Sequence, residues 1–119
     1  MEKSKLCASD YKFMDIVWEN EPIKSGELVF ICKERLGWKK STTYTMLKKL
    51  SEKGYLKNEN SIVTSVIEKK EVQMFESNYV VNTTFGGSLP SFIASFVSGK
   101  DLSKKEIEQI RSIIDNLEN

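Results

Sequence analysis

Histidine is absent from all 119 residues. Its absence removes Ser-His-Asp and Cys-His nucleophile pairs, imidazole general bases and every histidine-containing metal site. Cysteine is scarce: Cys7 and Cys32 stand far apart and form no C-x-x-C, so neither a zinc knot nor a dithiol redox pair is signalled. The pattern calls for no metal and no cofactor. An excess of one charge is also missing. Eighteen basic side chains face 17 acidic ones for a net charge of +1, which advertises no global attraction to nucleic acid or to an anionic membrane. No apolar run is long and clean enough for a leader or a spanning helix. Ser77 to Gly99 carries no charge, but Asn78, Asn82, Thr83, Thr84, Gly86, Gly87, Ser88 and Pro90 interrupt it with polar groups and helix breaks. The expectation is a cytoplasmic chain with no membrane insertion.

What is present is the composition of an ordinary globular protein, with 39% hydrophobic and 29% charged residues in one domain's worth of chain. The charge is unevenly spread. From Lys39 to Lys57 there are six lysines against Glu52 alone, a local charge of +5 that leaves −4 for the rest.

Apolar periodicity predicts the elements. Ser9 to Glu19 places Met14, Val17 and Trp18 on one helical face, and Asn20-Glu21-Pro22 stops it. Ser25 is the expected N-cap of a second helix, in which Leu28, Ile31, Cys32 and Leu36 recur until Gly37. A third opens near Lys40 or Ser41, gathers Thr43, Met46, Leu47 and Leu50 in one sector, and ends at Gly54. Tyr55-Leu56 and Ile62 to Ile67, on either side of a polar Lys57 to Ser61 turn, read as two short strands. Three helical pieces follow. The first carries Val72, Phe75 and Tyr79; the second carries Leu89, Phe92, Ile93, Phe96 and Val97. The last opens on a capping box, Ser103 to Glu106, and carries Ile107, Ile110, Ile113, Ile114 and Leu117.

The predicted fold is therefore mainly α with a small β-hairpin: a winged helix-turn-helix over residues 1–69 and a helical region over 70–119. That helical region is too short to bury three apolar stripes against itself, and a second copy would cover them. Its expected dimerisation residues are Phe75, Tyr79, Leu89, Phe92, Ile93, Phe96, Ile107, Ile110, Ile113 and Ile114. In a winged helix the later helix enters the DNA major groove. Here its outward face offers Lys40, Ser41, Thr42, Tyr44 and Thr45, with Lys48 and Lys49 as mobile charges for phosphate, and Lys57 in the wing. The plainer reading of those lysines is a solvated helix face.

The run from Trp38 to Leu56, with Lys39-Lys40-Ser41-Thr42-Thr43-Tyr44-Thr45-Met46-Leu47 at its centre, resembles the recognition-helix segment of the penicillinase-repressor (BlaI/MecI) family of bacterial transcription factors. Asp10 to Glu19 is similar to that family's first helix, Trp18 included, and Phe85-Gly86-Gly87, Phe92 to Val97 and Lys100 to Ile107 follow its C-terminal plan. The resemblance implies a homodimer that binds double-stranded DNA at a palindromic operator and represses transcription. It also implies release by a sensor-linked protease that cuts before a phenylalanine, which maps onto Ser95-Phe96. Relatives typically carry asparagine where this chain has Ser95, and the other reading of Phe96 is a dimer-core side chain. The wing lacks the arginine and paired tyrosines of relatives, leaving Lys57 and Asn58 for phosphate. Cys7 stands where a capping hydroxyl is usual, which passes the cap to Ser9.

A second hypothesis is a winged-helix module whose third helix docks on a protein, since fold does not fix function. Catalysis is the weakest: Asp10 with Asp15, and Glu106 with Glu108, are expected on solvent-facing positions, without a phosphate loop or nucleophile constellation nearby.

Overall fold

The computed structural model describes residues 6–117. Helices α1 (Ala8–Asn20), α2 (Ser25–Leu36) and α3 (Lys40–Glu52) are followed by strands β2 (Leu56–Glu59) and β3 (Ile62–Ser65), with a two-residue strand β1 (Ile23–Lys24) ahead of α2. Helices α4 (Lys69–Thr84), α5 (Leu89–Val97) and α6 (Lys104–Leu117) complete the chain. The strands form an antiparallel sheet in the order β1-β3-β2, with Ile23 opposite Val63 and Leu56 opposite Ser65. Three helices closed by such a hairpin make a winged helix.

The helical stripes of α1 to α3 converge on one core. Phe13, Met14, Ile16 and Val17 of α1 pack with Leu28 and Cys32 of α2, Leu47 and Leu50 of α3, and Ile23, Tyr55, Leu56 and Val63 around the sheet. Full burial of each large aliphatic or aromatic side chain contributes about 1.5–3 kcal/mol. Cys32 packs there as a small hydrophobe, and burial pushes its thiol pKa up. Phe13 stacks on Trp38 at 5.8 Å between ring centroids. Val72 joins the same core, so the first turn of α4 belongs with the N-terminal unit. The Trp18 indole N–H donates to the carbonyl of Ile67 at 3.0 Å, and Lys69 pairs with Asp15 at 2.9 Å, fixing the entry to that helix.

The chain divides into two units, one ending at Glu76 and the other beginning at Ser77. In the second, Ser88 caps α5 by accepting from the Ser91 amide at 3.1 Å, and Ser103 and Glu106 form the expected capping box at the start of α6. Phe85, Phe92 and Phe96 form a ring chain with centroid separations of 5.4 and 5.9 Å. No residue of α5 or α6 is buried.

Three local expectations are corrected. Ser25 is not the N-cap of α2: pairing of β1 with β3 holds Lys24 in extended backbone, so Lys24 takes the cap and Ser25 becomes the first helical residue. Cys7, not Ser9, is the N-cap of α1, with its amide donating to Asp10 Oδ2 at 3.3 Å. Asp10 is not solvent-facing but 1% exposed, because the helix turns its third residue beneath α3.

The wing turn is two residues long, and both Asn60 (φ 54°) and Ser61 (φ 64°) are left-handed, the geometry of a type I′ hairpin. Asparagine tolerates that region; serine pays a steric cost of about 1–2 kcal/mol there. Ser61→Gly is therefore expected to stabilise the N-terminal unit by up to about 1 kcal/mol, net of the added freedom of the unfolded chain. Urea unfolding checks this, and a destabilised variant would contradict it.

Candidate nucleic-acid interface

Helix α3 is anchored from within by Thr43, Leu47 and Leu50, all buried. Its opposite side faces solvent. Seven of the eight expected contact residues lie on this helix, and six of them, Lys40, Ser41, Thr42, Tyr44, Thr45 and Lys48, are exposed. The N-cap of α3 is Lys39, in extended backbone, so the first amides of the helix add positive potential beside the lysines.

Lys49 differs from expectation. Its Nζ donates to Asp10 Oδ1 at 2.8 Å, and its side chain is only partly exposed, so it is a structural cation and not a freely mobile one. Asp10 is pushed up by burial, but the hydrogen bonds from Lys49 and Cys7, with the lysine's charge, outweigh that and hold its carboxyl below the usual range. The same hydrogen bond raises the Lys49 ammonium. Lys57 is exposed on β2 and lies 3.3 Å from Glu59, an ion pair in water that contributes little.

Two further residues shape this surface without any sequence signal of their own. Ser25 Oγ accepts a hydrogen bond from Tyr44 Oη at 3.3 Å, and its amide donates to the carbonyl of Ser61 at 2.8 Å, so one residue touches both the recognition helix and the wing turn. Glu21 anchors the far end of β3, accepting from the Ser65 amide and hydroxyl at 2.8 Å. Between α3 and β2 lies an open depression of about 330 Å³ lined by Tyr44, Leu47, Lys48, Ser51, Glu52 and Asn58. Among the described residues no group of three or more acidic or cysteine side chains is placed to hold a metal. Among the same residues, no helix is long and apolar enough to cross a membrane.

This arrangement defines a winged helix whose third helix carries a cationic, hydroxyl-rich outer face. The chain belongs to the penicillinase repressor family, whose profile matches residues 6–116. It is 25% identical to the methicillin resistance regulatory protein MecI of Staphylococcus aureus (strain Mu50 / ATCC 700699) over 114 residues, covering 92% of this chain and 93% of that protein. It is 22% identical to the penicillinase repressor of Staphylococcus aureus over 117 residues, with 95% and 93% covered. The Bacillus licheniformis penicillinase repressor is 24% identical over 119 residues, with 97% and 93% covered. The family is one of transcriptional repressors, and that role extends to this chain.

The Asp10–Lys49 pair predicts an acid response. Because the folded pKa of Asp10 lies below its unfolded value of about 3.9, its contribution is complete above that value and is lost as pH falls through the folded pKa. Urea midpoints measured from pH 6 downward should fall less steeply in Asp10→Asn than in the wild type. Equal acid slopes would show that the pair does not couple protonation to folding.

Proposed function

We propose that this chain is a cytoplasmic, homodimeric repressor that reads a two-fold-symmetric operator in double-stranded DNA. The DNA-binding part takes in residues 1–69, and the dimerisation part lies within 70–119, beyond the first turn of α4 that packs in the N-terminal core. The observation that carries the reading is the exposed face of α3, where Lys40 and Lys48 flank the hydroxyls of Ser41, Thr42 and Thr45 in a chain of a repressor family. Lysines there serve as phosphate contacts that set affinity, and the hydroxyls reach base edges and phosphates. Lys57 offers a further phosphate contact from the wing.

Dimerisation is supported by the second unit. Tyr79, Leu89, Ile93, Phe96, Ile107, Ile110, Ile113 and Ile114 are exposed there and Phe92 is half-buried, as is Phe75 near the end of the first unit. That is far more apolar surface than a short solvated helical segment carries. A two-fold dimer places its recognition helices about 34 Å apart, one helical turn of DNA. Derepression by a sensor-linked protease would fall at Ser95-Phe96, inside α5, where Lys100 Nζ sits 3.7 Å from the Phe96 ring centroid. Cutting there would split the apolar stripe of α5.

Two measurements test the reading. Selection of genomic fragments by the purified protein should enrich a palindromic site, bound with a steep salt dependence. Lys48→Ala should weaken binding to all sequences and flatten the slope of log K against log salt by about 0.9 for each head of the dimer. An unchanged slope would remove Lys48 from the interface; no enriched site would favour a protein-docking role for α3. Ile110→Asp should convert the dimer to monomer in sedimentation experiments and weaken operator binding more than tenfold, since the half-sites then bind separately. A dimer that survives this change would place the interface elsewhere.

A further inference from the structure

The polar face of α3 is not uniform, and Tyr44 is the exception. Its hydroxyl proton is committed to Ser25 Oγ at 3.3 Å, and Ser25 is 5% exposed. A phenol whose single donor is turned onto a buried hydroxyl has no proton left for an acceptor on a base edge. With the hydroxyl turned inward, what Tyr44 can offer outward is its ring; the residue is 38% exposed and lines the depression beside Leu47, Lys48 and Asn58. In the major groove, apolar contact is informative at one group, the C5-methyl of thymine. We propose that Tyr44 reads a thymine methyl through its ring, and that Ser25 is the positioning residue that holds the ring in place.

Ser25 suits that task because it is fixed on two sides. It opens α2, and its amide donates to the carbonyl of Ser61 in the wing turn at 2.8 Å. The Ser25 side chain therefore refers the Tyr44 ring to the wing as well as to α2. Truncating it to alanine leaves the amide bond to the wing intact and cuts only the link to Tyr44.

The proposal rests on the DNA-reading function above, and the test separates the two. Each thymine of the selected operator is replaced singly by deoxyuridine, which removes the methyl and leaves base pairing intact. Wild-type protein should lose about fourfold in affinity at one thymine per half-site, the value of burying one methyl group. Tyr44→Ala should bind that site equally with thymine or uracil. Ser25→Ala and Tyr44→Phe each cut the tether, so both should reduce the methyl effect below about twofold, and the double variant should reduce it no further. Tyr44→Phe changes only a partly exposed hydroxyl, which keeps the test open if Ser25→Ala lowers the unfolding midpoint. Methyl sensitivity that survives in Tyr44→Ala, or that is absent from every position, overturns the ring reading. Full sensitivity in both tether variants overturns the role of Ser25. If the wild type enriches no operator, the DNA reading fails and this inference falls with it.

Discussion

A carboxylate withdrawn from water must be matched by a cation, and Asp10 takes its cation from the recognition helix. The Lys49–Asp10 bond at 2.8 Å ties one flank of α3 to α1. On the other flank Tyr44 is tied to the first residue of α2. The two tethered positions lie roughly 140° apart on a helix of 3.6 residues per turn. Leu47 and Leu50 fix how deep α3 sits, but apolar contacts alone tolerate some roll about the helix axis. Directional bonds on both flanks remove that freedom. The residues between them, Ser41, Thr45 and Lys48, are thereby fixed as the outward stripe.

This arrangement also redistributes the charge that the sequence concentrates between Lys39 and Lys57. Lys49 is engaged with a buried partner and stays engaged, because releasing it would strand Asp10. Lys57 and Glu59 are both exposed, so their pairing at 3.3 Å competes with water at little cost and yields readily to phosphate. The two lysines were alike in the sequence and differ in the fold. What separates them is the burial of the partner carboxylate, which has no signature in the local run of residues around either lysine.

The legible part of this chain was the part written in apolar periodicity. The stripes of α1, α2, α3 and α6, the Gly37 stop and the Ser103–Glu106 box each depend on neighbours within a few residues, and each is found where the pattern places it. The illegible part depends on distant partners. Strand β1 is two residues long, too short to display an alternation, and it exists because β3 pairs with it. That pairing moved the cap of α2 from Ser25 to Lys24 and left Ser25 free to hold Tyr44. Asp10 read as a surface acid because charge predicts exposure on average. The exception arises when a helix start and a lysine 39 residues later converge on the same carboxylate.

The second unit carries the opposite lesson. Its helices follow their caps and stripes faithfully, yet the side chains that those stripes align, Ile113 and Leu117 among them, stand in solvent. Local rules there are satisfied without any buried residue in α5 or α6, which supports the proposed pairing with a second copy. The proposed function links that surface to the weakness of a single reading head. With Lys49 withdrawn, one head keeps few cations on α3, and affinity from so few phosphate contacts falls quickly in salt. Joining two heads makes the second contact intramolecular, so the pair binds far more tightly than either head without any added charge. In the proposed dimer the near-neutral net charge is compatible with DNA reading: two modest heads in fixed register would hold the operator, and the apolar face of the C-terminal helices would supply the tightness that charge does not.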